Sequence, residues 1–269
     1  MLDTEERRDN GMTLRPALVG EVRPMSEAEW QARVELAAAY RLMDDAGITD
    51  LTQNHICVRL PDEPDAFLIK QHQHLFEEVT ASSLVKYDLD GNPRQEGFGK
   101  LTGGGLIIHA GLFAARPDIK ATIHTHTAAI IGVSCHKTGL LPINQHAMNF
   151  LNKIAYHDFG GFEFDMSQRE PLVRSLGNKK VAFLRNHGSL VCGESLGEAF
   201  IAHHKLEIAC QGQIAALAAG EDGYVLISKA SQAYADNQID KRHNLDTNGG
   251  KNWQALLRRA ERTFPDYKN

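Results

Sequence analysis

Long apolar runs are missing from this chain. None approaches the roughly 18 residues that a membrane-spanning helix needs, so no transmembrane segment is expected. An excess of positive charge is missing too. The 29 Lys and Arg stand against 34 Asp and Glu, a net charge of −5 with His neutral. That balance offers no basic field to nucleic acid or to an anionic membrane. Cysteine is scarce: Cys57, Cys135, Cys192 and Cys210 are widely spaced, with no CxxC. They read as reduced, mostly buried thiols of a cytoplasmic protein. The segment Met1 to Asp9 lacks the apolar stretch of a signal peptide.

What remains is ordinary in bulk and unusual in one respect. At 269 residues, 42% apolar and 23% charged, the chain can build the core of a globular protein. It also carries 13 histidines, a high count for this length. No internal repeat or clear linker divides it, so one domain with tails is expected. Residues 1–23 read as a flexible arm, 24–225 as the domain and 226–269 as a C-terminal extension.

Local patterns alternate helix and strand. Ser26 with Glu29, and Ser195 with Glu198, have capping-box spacing and open helices to about Ala46 and Ala219. His55 to Leu60 and Ala66 to Ile69 flank Pro61-Asp62-Glu63-Pro64-Asp65 as a hairpin. Leu101-Thr102-Gly103-Gly104-Gly105 is a glycine loop before an apolar helix, Leu106 to Ala115. A helix N-terminus there could hold an anion or simply make a tight connection, since neither a GxGxxG nor a P-loop pattern is present. Thr127 to Ser134 and Ser167 to Leu176 read as helices, Val181 to Asn186 and Ser189 to Gly193 as strands. Leu140 to Ile143 reads as extended, and Ala155 to Gly161 as a polar turn.

The chemistry concentrates at Ile119 to Thr127, a β-branched strand ending in His124-Thr125-His126. Side chains alternate across a strand, so His124 and His126 share a face and can share a metal ion. A third ligand is required. His187, at a strand end before Gly188, is the best partner, and the set leaves coordination positions for water or substrate. Zinc is the default for three imidazoles; Fe2+, Mn2+ and Co2+ accept the same donors. The bland alternative is three histidines satisfied by backbone groups. His109 and His203 read as packing residues, His157 and Asp158 as turn partners, and Gln71-His72-Gln73-His74 as a short loop tract.

In this order and spacing, Ala114-Ala115-Arg116-Pro117-Asp118, His124-Thr125-His126 and Arg185-Asn186-His187-Gly188 resemble the class II aldolase/adducin family. Asn54-His55-Ile56, Glu78 to Lys86 and Ala155-Tyr156-His157-Asp158 are similar to its adducin-head branch. The resemblance implies an α/β fold, a central mainly antiparallel sheet with helices on both sides, assembled as a homotetramer. It implies a divalent metal, usually zinc, on His124, His126 and His187, and aldolase-type cleavage or isomerisation of a small hydroxy-carbonyl compound. His55 and Tyr156 become candidate acid/base or substrate-contacting groups. Thr52, Asn54, Gly103, Gly104 and Gly105 become the anion-binding candidates. One departure stands out: the family's acid/base glutamate falls at Gly105 here, with Glu77 or Glu78 as possible substitutes. A non-haem iron oxygenase, or a non-catalytic scaffold like the adducin heads, are the competing expectations.

Overall fold

The computed structural model describes residues 12–16, 22–220, 222–242 and 249–269. Strands β1 (Met12–Pro16) and β2 (Val22–Ser26) form an antiparallel ladder. Part of the expected flexible arm is thus paired strand; residues 1–11 and 17–21 lie outside the described residues.

Seven strands make the central sheet: β3 (His55–Arg59), β4 (Ala66–Ile69), β5 (Val85–Asp88), β6 (Ala121–Thr125), β7 (Ile154–His157), β8 (Val181–Leu184) and β9 (Gly188–Gly193). Their order is β5-β4-β3-β6-β9-β8-β7, antiparallel except for the β7–β8 pair. The pleat divides the core. Val181 and Phe183 of β8, with Val191 of β9, pack on α1 (Glu27–Asp45) and α5 (Leu196–Leu217). Their neighbours Ala182, Leu184, Leu190 and Cys192 face the opposite layer. That layer holds a π-helical turn (Gly105–Ala110), α2 (Gly111–Ala115) and α4 (Arg169–Leu176). Period-two alternation in strands buried on both faces yields a three-layer α/β/α core.

Both capping serines act as the spacing predicts. Ser26 Oγ accepts from Glu29 N at 3.0 Å and Ser195 Oγ from Glu198 N at 3.2 Å. The short helix α3 (Ala128–Cys135) follows the His-Thr-His strand. Beyond it the sequence reading needs one correction. Ala155 to His157, the start of the expected polar turn, belong to edge strand β7 (Ile154–His157), while Leu140 to Ile143 lies outside any strand. Four residues are too few to display a period.

The C-terminal segment is no detached extension. Helices α6 (Lys229–Arg242) and α7 (Gly250–Thr263) follow α5. Trp253 is buried against Phe200, with ring centroids 5.2 Å apart. The last residues clamp the domain, because Tyr267 O and Asn269 O accept from Ala81 N and Ser82 N at 2.9 and 2.8 Å. No described helix is long and apolar enough to cross a membrane.

Candidate metal centre

Three histidines meet at one end of the sheet. β6 delivers His124 from its last turn of pleat and His126 just beyond it. The tight β8–β9 turn, Arg185 to His187, delivers the third. Asn186 takes a left-handed conformation there, φ 60°, which an Asn tolerates better than most residues. His126 Nε2 lies 2.8 Å from His124 Nε2 and 3.0 Å from His187 Nε2, and the ligand atoms of all three fall within 4.8 Å of one another.

The outer nitrogens are as informative as the inner ones. His124 Nδ1 faces Ser189 O at 2.8 Å, His126 Nδ1 faces Asp50 Oδ2 at 2.9 Å, and His187 Nδ1 faces Glu163 Oε1 at 3.2 Å. Each acceptor takes an Nδ1 proton and thereby fixes the tautomer that turns the Nε2 lone pair inward. Three lone pairs directed at one point repel unless a cation sits between them. Two imidazole nitrogens about 2.05 Å from one ion stand about 2.9 Å apart at a right angle and about 3.3 Å at the tetrahedral angle. The donor set fits a divalent transition metal. Burial also favours the neutral form that a ligand needs at two of them: it pushes His124 well below the ordinary histidine range, with the nearby His126 and His187 adding to the effect, and lowers His126.

A cavity of about 540 Å³ opens over these nitrogens. Asp50, Gln53, His55, Gly104 and Asn186 line it beside the histidines. Ile108, Ile131, Phe159, Phe162, Glu163 and Phe164 complete its wall.

The comparisons with known proteins agree with this geometry. Residues 34–214 match the model of the Class II Aldolase and Adducin N-terminal domain. The chain belongs to this family. An aldolase II superfamily protein from Pseudomonas syringae is 42% identical with a TM-score of 0.86, covering 91% of this chain and 98% of that one. Rattus norvegicus alpha-adducin is 44% identical over 200 residues, 72% of this chain but 27% of the adducin. The L-fuculose 1-phosphate aldolase of Glaciozyma antarctica PI12, at 24% identity and TM-score 0.76 over 91% of this chain and 94% of its own, shares the fold.

Within this family frame the individual residues sort clearly. His55 pairs with His124 across β3 and β6 and lines the cavity. Its Nδ1 meets His109 Nε2 at 3.3 Å, and His109 Nδ1 meets Thr122 Oγ1 at 2.7 Å. A buried imidazole chain therefore leads from the cavity to a threonine hydroxyl. Burial, then His109, keeps His55 well below its usual range. Tyr156 is corrected out of the site: its hydroxyl accepts from Leu140 N at 3.1 Å, its ring stacks 5.9 Å from Phe183, and it lines a separate hollow. The strand pleat turns it away from the metal end.

The anion candidates scatter. Asn54 is fully buried, and its Oδ1 accepts from His126 N at 3.1 Å, so it braces a metal-binding strand instead of facing a ligand. Neither Thr52 nor Gly103 is among the cavity-lining residues, and the Thr52 carbonyl accepts from Lys70 Nζ at 2.9 Å. A Cβ on Gly105 would meet Leu101 Cδ1 at 2.9 Å, whereas one on Gly104 would meet His55 Cε1 at 3.0 Å. Gly104, not Gly105, is the position that faces the cavity. Glu77 and Glu78 stay outside it; Glu78 Oε2 accepts from Leu75 N at 2.7 Å. The carboxylates that do reach the centre, Asp50 and Glu163, sit in irregular segments and carry no periodic signal. His157 binds Ser175 Oγ at 2.9 Å and His72 and His74 lie outside the cavity lining.

Gly188 makes the close approach possible. A Cβ there would stand 2.4 Å from Thr125 O and 3.0 Å from His126 Cδ2. Gly188→Ala should push the β8–β9 turn off the His-x-His strand and lower metal affinity by about tenfold or more, comparable to losing an outer-sphere contact. Titration with a competing chelator reads this directly; unchanged affinity would show that the strand spacing does not set the site.

Proposed function

We propose that this protein is a divalent-metal-dependent lyase of the aldolase type, or an isomerase, acting on a small hydroxy-carbonyl compound. The observation that carries this reading is the convergence of three Nε2 atoms, each backed by an acceptor on Nδ1. Zinc is the first candidate metal. When bound, the ion supplies a Lewis acid for a carbonyl or hydroxyl oxygen.

The chain's own groups supply the rest. His124, His126 and His187 hold the ion, and Asp50 and Glu163 orient two of them. His55 stands in the cavity wall with Nδ1 engaged by His109, which leaves Nε2 to take a proton from a substrate carbon or hydroxyl and return it. The apolar wall of Ile108 and Ile131 limits water around the reacting atoms. A homotetramer and a cytoplasmic location accompany this reading as family expectations.

Anaerobic purification, metal analysis and turnover of a hydroxy-carbonyl panel test it together. Zinc with carbon–carbon cleavage supports the lyase. Iron with oxygen uptake supports an oxygenase on the same fold. Bound metal with no turnover supports a binding role, which the likeness to alpha-adducin favours over 200 residues. His55→Gln should lower kcat by roughly 10²-fold or more while leaving metal content intact; an unchanged kcat removes His55 from the chemistry.

Asp50→Asn separates orientation from charge. Asparagine presents a weaker acceptor to His126 Nδ1 and should lower metal affinity about 10- to 100-fold. Wild-type affinity in that variant would mean that the strand alone orients the ring.

A further inference from the structure

The charge of the site restricts what it can take. Its lining brings two carboxylates, Asp50 and Glu163, and no lysine or arginine among the described residues. The lining offers a phosphate dianion neither a cationic side chain nor a Ser or Thr hydroxyl, the two kinds of group that could hold one beside backbone amides. Two neighbouring cations, Lys70 beside His55 and Arg185 next to Asn186, are already committed. Lys70 Nζ donates to the carbonyls of Thr52, Gln71 and His72 at 2.9, 3.3 and 3.4 Å, which uses all three of its N–H groups. Arg185 donates to His136 O at 2.8 Å and stacks over the Tyr156 ring at 4.6 Å.

Beside the histidines, the wall of the same cavity is aromatic. Phe159, Phe162 and Phe164 are 51%, 74% and 82% exposed, an unusual outlay of large apolar rings on one short loop. Their centroids lie 6.3 Å apart for Phe159–Phe162 and 6.0 Å for Phe162–Phe164. Phe164 N donates to Phe162 O at 2.8 Å, a tight turn with Glu163 at its apex. Glu163 reaches inward to His187 while the two flanking rings stand together in the wall. The loop that holds His187 in place therefore also carries the rings.

Resting on the metal-centre reading above, we propose that the substrate is a non-phosphorylated hydroxy-carbonyl compound whose apolar, ring-sized tail lies against Phe159, Phe162 and Phe164. Its polar end meets the histidines, and its tail covers the exposed rings.

Hydroxamates, which chelate through two oxygens, probe both ends without turnover. The zinc-loaded protein is titrated calorimetrically with acetohydroxamate, phenylacetohydroxamate and a hydroxamate with a phosphorylated tail, and with inorganic phosphate alone. Phenylacetohydroxamate should bind at least about tenfold more tightly than acetohydroxamate, the scale expected for burying a ring. That preference should vanish in the double variant Phe162→Ala, Phe164→Ala, with acetohydroxamate affinity and metal content unchanged. The phosphorylated tail should bring no gain. Tighter binding of the phosphorylated probe, or displacement by inorganic phosphate, overturns the proposal and assigns the glycine segment Gly103 to Gly105 as an anion site. So does a phenyl preference that survives the double variant. Loss of self-association in that variant, with hydroxamate affinities unmoved, overturns it in favour of a second copy covering the rings. Failure to take up zinc at all sinks the metal centre itself, and is recognised before any hydroxamate is added.

Discussion

Protein carrying His124→Ala should emerge from dialysis without stoichiometric metal. The expected loss follows from the number of donors. Structural zinc sites contribute roughly 10–16 kcal/mol over about four ligands, so one ligand is worth roughly 2.5–4 kcal/mol, a factor of about 70 to 900 in affinity. His124 should stand at the upper end of that range. It is 1% exposed and held through Nδ1 to Ser189 O at 2.8 Å, so its Nε2 is fixed in place toward the other two ligands. The substitution also removes the His124 hydrogen bond to the Ser189 carbonyl, at about 0.5–1.5 kcal/mol of stability. Circular dichroism of the metal-free wild type and variant must accompany the metal analysis, so that loss of binding is not confused with loss of fold. His109→Gln is the matched control: it removes a buried imidazole 3.3 Å from His55 that touches no ligand, and it should keep full metal content. Full occupancy in His124→Ala would end the site assignment.

The parts of this centre differ in how openly the sequence displays them. Period two in a strand puts His124 and His126 on one face whatever the rest of the protein does, and a histidine next to glycine at a strand end is an exposed donor. Those features are local, and the structure brings the three residues together. Asp50 and Glu163 are not local. Each is one carboxylate in an irregular segment, and only the packing of loops on the sheet end brings it to an imidazole Nδ1. Tyr156 shows the opposite failure. A tyrosine beside a histidine suggests chemistry, yet β7 turns it toward the Gly139–Leu140 bend, where it braces the backbone. The missing glutamate shows a third kind. The resemblance puts the family glutamate at Gly105, yet Gly104 is the position whose Cβ would face His55 and the cavity. Helix α6 was silent for a simpler reason: Lys229–Arg242 is polar on every side and gives no amphipathic stripe.

Acid should unfold the metal-free protein well before its carboxylates are fully protonated. His109 and His203 are completely buried, and burial pushes both down to about 3 from an ordinary value near 6.5. His109 faces only Thr122 Oγ1 and His55, and His203 offers Nε2 to Thr125 Oγ1 at 2.7 Å while its Nδ1 has no partner among the described residues. Among the described residues no carboxylate pairs with either to welcome a proton. The unfolded chain binds those protons near 6.5 and the folded chain does not, so stability is fully present above about 6.5 and is lost as pH falls toward 3. At pH 5 each group accounts for about 2 kcal/mol, and the pair for about 4 kcal/mol, against the 5–15 kcal/mol typical of a whole domain. His55 and His124, also held down by burial, act in the same direction. Urea unfolding of chelator-treated protein at pH 7 and pH 5 measures the difference. His203→Gln should recover about half of the pair's contribution to the pH dependence, whatever it does to stability at pH 7. A urea midpoint that stays level between the two pH values would mean that the buried imidazoles find protons, or water, inside the fold.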